Sequence, residues 1–198
     1  MSRRAFARTL VLAAVAAATP GCLPPGAGTL FEKGVAEVRG GWGEARESRP
    51  FPPGPVMDRF RSVKIARVER SADAGPMPAE LVKVVETELR NALRDANLFA
   101  GGVGPTLVIR ARLTNHWRNS GFSTATGGPS EVVARIEFLE EGRSAPLGVY
   151  YVRGISTALA RNSDENLGRG LAEGVIEVIE SRRTPSQQAE SPFKREPL

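Results

Sequence analysis

Cysteine occurs once in the 198 residues, at Cys22, and histidine once, at His116. A single cysteine rules out an internal disulfide, and a single histidine rules out a His–His metal pair. No uninterrupted apolar run approaches the roughly twenty residues needed to span a bilayer. No Gly-x-Ser-x-Gly elbow supports a hydrolase built on His116. The glycines of "TATGGPS" (124 to 130) are not followed by Gly-Lys-Ser/Thr, which a phosphate loop requires, and read instead as part of a hairpin loop. Basic residues are scattered among acidic ones without a cluster, which argues against a nucleic-acid partner despite a pI near 10.

The N-terminus carries a different pattern. Arg3, Arg4 and Arg8 precede an Ala/Leu/Val run from Thr9 to Ala18, which Pro20 and Gly21 then break. A charged start, a short apolar stretch and small residues at its end describe a secretory signal peptide over 1 to 21. Removing those three arginines lowers the formal net charge from +5 to +2. Two cleavage points fit. Ala16-Ala17-Ala18 satisfies the small-x-small rule and would release a soluble chain at Thr19. Gly21-Cys22 resembles the lipobox of bacterial lipoproteins, whose exposed cysteine carries lipid and anchors the protein in the membrane. An unpaired thiol in an exported protein is otherwise a reactive liability, which favours lipidation of Cys22. "SRRAFAR" (2 to 8) resembles the twin-arginine export signal.

Residues 22 to 56 are rich in Gly and Pro and read as a tether, with "RPFPPGP" (49 to 55) favouring extended backbone. Residues 184 to 198 are polar and Pro-containing, and read as a disordered tail. Between them, 57 to 183 forms one domain-sized unit. "FRSVKIARVE" is β-like. Pro78 suits the first turn of a helix in which Leu81, Val85, Leu89, Ala92, Leu93 and Ala96 make one stripe at 3.6-residue spacing. Leu107, Ile109, Ala111 and Leu113 alternate with polar residues, as do Val132, Ala134, Ile136 and Phe138, predicting two antiparallel strands. Avoiding like charges face to face places Arg112 opposite Glu137 rather than Arg135. "LGVYYVRGIST" supplies a third strand of the meander, with Tyr150 and Tyr151 on opposite faces. A last helix buries Leu167, Leu171, Val175, Val178 and Ile179, opens on Asn162 with Glu165 in capping-box spacing, and ends at Arg182-Arg183. The expected fold is α+β, in the order β-α-β-β-β-α: a mostly antiparallel sheet with two helices on one face.

A helix ending in "LRDANLF", then "LVIRARLT", "VVARIEFLEEGRSAPLG" and a final helix, resembles uncharacterised bacterial envelope lipoproteins of domain-of-unknown-function type. These are similar in architecture to the TolB N-terminal domain and the curli-secretion lipoprotein CsgG. The resemblance implies an outer-membrane-anchored, periplasm-facing accessory module in export or envelope maintenance, without enzymatic activity, cofactor or metal. It supplies no catalytic residues. A periplasmic binding protein for a lipid, glycan or small molecule is the alternative. Within the chain, Trp117, Arg118 and Phe122 bracket the start of a long loop (118 to 130) and are the candidate partner contact, because aromatics and arginine dominate interface hot spots.

Overall fold

The computed structural model describes residues 41–99, 101–118, 129–156 and 163–184. Five strands and two helices follow in order: β1 (Trp42–Arg49), β2 (Ser62–Arg70), α1 (Ala79–Asp95), β3 (Thr106–Trp117), β4 (Ser130–Glu140), β5 (Gly148–Ser156) and α2 (Asp164–Glu180). The sheet runs β1-β5-β4-β3-β2. β3, β4 and β5 form an antiparallel meander, β1 pairs antiparallel with β5, and β2 pairs parallel with β3 across the α1 crossover. The α+β class, the largely antiparallel sheet and the two helices packed against it agree with the sequence reading.

Local sequence explains most of these elements. Leu81, Val85, Leu89 and Leu93 form the buried stripe of α1, and Ala96 continues it past the helix end. Pro78 is the N-cap rather than the first helical residue, and it has no side-chain capping hydrogen bond. α2 buries Leu167, Leu171, Val175, Val178 and Ile179, as its spacing predicts. Its cap is Ser163, whose hydroxyl accepts from the Asn166 N–H at 3.2 Å, not Asn162, which lies outside the described residues. The helices pack on each other and on one sheet face, around Phe138, Leu89, Ile109, Ile136 and Leu171. Tyr150 turns into this core and Tyr151 onto the opposite face.

Two expectations change. The stretch 22 to 56, read as tether, contains β1, and Phe51 is 5% exposed. At Gly43 of this strand α2 lies too close to admit a side chain. A Cβ on Gly43 would stand 2.2 Å from the Gly170 carbonyl oxygen, whereas Ala45, two residues on, is exposed. The register of β3 on β4 is also shifted by two residues: Arg112 faces Arg135, and Glu137 faces Arg110. This alignment sets Ile109 on Phe138, Ala111 on Ile136 and Leu113 on Ala134. The expected register would have put Ile109 opposite Glu140. Burying one more apolar pair, at about 25 cal/mol per Å², outweighs a repulsion of a few tenths of a kcal/mol between exposed charges.

Candidate functional site

Cys22 and Gly21, the candidate lipidation and cleavage residues, lie outside the described residues, as does Phe122 of the candidate contact loop. Trp117 and Arg118 are described. Trp117 ends β3 opposite Glu131 and is 57% exposed, an unusual position for so large an apolar side chain. Arg118 reaches toward Asp164 in the first turn of α2 at 3.9 Å. His116, on the helix-facing side opposite Val132, has a buried Nε2 without a hydrogen-bond partner, and Asp164 Oδ1 is likewise buried without one. Burial pushes the His116 imidazole below its ordinary value; the Asp164 carboxylate opposes that shift and Arg118 adds to it. The shift favours the uncharged form of the half-buried ring.

The first described residue, Gly41, packs its backbone against Ile155 and Asn166, at the same end of the sheet as Trp117. Residue 184 lies at the other end, where the Thr184 N–H donates to both Asp58 carboxylate oxygens at 3.2 Å.

The sheet face away from the helices presents charged side chains in rows across the strands. In one row, Glu44 faces Arg153, which faces Val133; Arg153 donates to Glu44 at 3.1 Å and to Glu131 at 2.5 Å. In a second, Glu137 faces Arg110 and accepts from it at 3.1 Å, while also accepting from Arg135 in its own strand. Burial raises the Glu137 carboxyl, but the hydrogen bonds and charges of Arg135 and Arg110 outweigh that and hold it below the ordinary value. Between these two rows runs a third: Arg46, Tyr151, Arg135, Arg112. A cleft of about 570 Å³ opens beside it, bounded by Arg46, Ser48, Val133, Tyr151 and Arg153.

Alternation already directs Arg110, Arg112, Arg135 and Glu137 away from the core. What sequence reasoning missed is the contribution of β1, because "WGEARESR" carries no strand pattern of its own. At the far end of β4, Glu140 accepts from Arg59 at 2.9 Å, and Glu141 pairs separately with Lys64. Among the described residues there is no group of three or more His, Cys, Asp or Glu that could hold a metal. Nor is any described helix long and apolar enough to cross a membrane.

No family model matches the chain. No curated protein matches it. Among solved structures, the chain is similar to the dodecamer of a PelC point variant from Paraburkholderia phytofirmans, at 15% identity and a TM-score of 0.44, over 69% of this chain and 96% of that one. A PelC dodecamer from the same organism is similar at 14% identity and a TM-score of 0.43, over 70% of this chain and 96% of that one.

Proposed function

We propose that this chain is an outer-membrane lipoprotein, anchored through lipid on Cys22, that works as a non-enzymatic interaction module facing the periplasm in export or envelope maintenance. One observation carries the reading. The only cysteine follows an arginine-led apolar run and a small residue, in a chain with no second thiol to pair with. About twenty residues lie between Cys22 and β1, and a tether of that length would reach about 25 Å, enough to hold a domain off the lipid headgroups. Stable anchoring requires more than one acyl chain, which a lipoprotein cysteine carries by resemblance to that class. The resemblance to envelope lipoproteins supplies the outer-membrane location and the accessory role.

The alternative, a binding protein for a lipid, glycan or small molecule, calls for a concave, mostly apolar pocket. The cleft edged by Arg46 and Arg153 lies beside an open, charged sheet face, which favours the interaction module.

Metabolic labelling with a fatty acid, followed by fractionation, tests the anchor. The wild-type chain is expected in the outer-membrane fraction with label, and the Cys22→Ala chain unlabelled and soluble. An unlabelled, soluble wild type sinks the proposal.

A further inference from the structure

The helix-free sheet face leaves a charge conflict in place. One row crosses four strands: Arg46 of β1 faces Tyr151 of β5, Tyr151 faces Arg135 of β4, and Arg135 faces Arg112 of β3. Arg135 is engaged by Glu137, and Arg112 faces Glu69 of β2 on its other side, but Glu69 pairs with Arg67, so neither Arg46 nor Arg112 makes an ion pair among the described residues. Like charges directly opposite each other are unfavourable. Core packing accounts for the register, yet it does not account for arginine at both facing positions, since any polar residue would satisfy an exposed strand face.

We propose that this row is a docking site for an acidic segment of a partner protein, with carboxylates received by Arg46, Arg112 and Arg135 beside the Tyr151 ring. The proposal deepens the interaction-module reading and rests on it for the partner being a protein. Residue type favours that class. The basic residues of this row and of the rows on either side are all arginine, with Tyr151 39% exposed among them. Arginine and aromatics are enriched at protein interfaces while lysine is depleted, and the guanidinium fork takes a carboxylate with two parallel hydrogen bonds.

Charge spacing favours it as well. Glu44 and Glu137 stand in the flanking rows, already paired with Arg153 and Arg110. A dense ladder of phosphates would meet these carboxylates as repulsion, whereas isolated Asp or Glu side chains fit between them. The row spans three interstrand steps of about 4.8 Å each, so the occupant crosses the strands instead of adding to the free edge of β1. The adjoining cleft beside Arg46, Tyr151 and Arg153 gives room for its side chains.

The test uses the full chain with Cys22→Ser, so that lipid plays no part, and three probes: poly-L-glutamate, polygalacturonate, and phosphatidylglycerol vesicles. Poly-L-glutamate is expected to bind in a salt-sensitive way. Binding should weaken about ten-fold or more in the Arg46→Gln/Arg112→Gln double variant, since two charge-assisted contacts are removed. It should hold in Arg90→Gln, whose arginine pairs with Glu86 on α1. Unchanged binding in the double variant, no binding of poly-L-glutamate, or tighter binding of polygalacturonate or vesicles overturns the proposal. A chain that fails lipid labelling yet binds poly-L-glutamate loses the anchored reading and keeps this one.

Discussion

Gly43 of β1 lies against Gly170 of α2 so closely that a Cβ on Gly43 would stand 2.2 Å from the Gly170 carbonyl oxygen and 2.5 Å from the Gly174 nitrogen. Gly154 of β5 meets the same helix, its virtual Cβ 2.1 Å from the Leu167 carbonyl oxygen. Backbone is the obstacle in both places, so no side chain can move aside. Gly43→Ala and Gly154→Ala are each expected to cost about 3 kcal/mol, the upper end for overpacking. Chemical denaturation of the two variants checks this. Gly75→Ala, with nothing within 4 Å of its Cβ, is the neutral comparison.

The polar end of β1 is held by one cluster. Tyr150 donates to Glu47 at 2.6 Å, and Arg182, past the end of α2, donates to the same carboxylate oxygen at 2.7 Å. Arg182 also lies 5.7 Å from the Phe51 ring centroid, which ties the segment after β1 to the same point. Removing the hydroxyl in Tyr150→Phe should cost about 1 kcal/mol. A double-mutant cycle with Glu47→Gln should return a coupling of similar size. Additive single effects would show that the hydrogen bond contributes nothing to stability.

Glu137 makes stability depend on acid. Its folded-state value lies below the ordinary one, so its contribution is complete above about pH 4.3 and is lost as pH falls through the depressed folded value. Glu137→Gln removes that dependence. The wild type should lose more stability than the variant between about pH 5 and pH 3, as read by thermal melts across the range.

His116 acts in a higher window with the same sign. Because burial lowers its folded-state value, the unfolded chain binds the proton more readily, and stability falls as pH drops below about 6.5. Asp164 and Arg118 face the ring with opposing effects, Asp164 raising its value and Arg118 lowering it. Replacing His116 with Asn should flatten the stability profile between about pH 7 and pH 5.5 while leaving the profile below pH 5 intact. Melts of the two chains at matched pH measure the difference.

The outward set of the candidate face was half legible in the chain. Alternation in "TLVIRARLTNHW" and "EVVARIEFLE" marks Arg110, Arg112, Arg135 and Glu137 as solvent-facing, and the structure keeps every one of them there. Their neighbours across the sheet were not legible, because strand periodicity says which face a side chain takes and nothing about which residue stands opposite. Trp117 and Arg118 are exposed at the sheet end, while the row through Arg46 and Tyr151 depends on a strand that the sequence reading placed in a tether.

Local periodicity was enough for both helices and for β3 to β5, since an apolar stripe at Leu81, Val85, Leu89 and Leu93, or alternation from Leu107 to Leu113, arises from each segment's own residues. β1 needed its neighbours. "WGEARESR" becomes a strand because β5 offers it a hydrogen-bonding edge and Gly43 lets its backbone approach that of α2. The two-residue shift between β3 and β4 has the same origin. Facing charges in solvent differ by tenths of a kcal/mol, whereas matching Phe138 to Ile109 and Ala134 to Leu113 decides how much apolar surface leaves water, and that sum exists only once the sheet and helices are assembled.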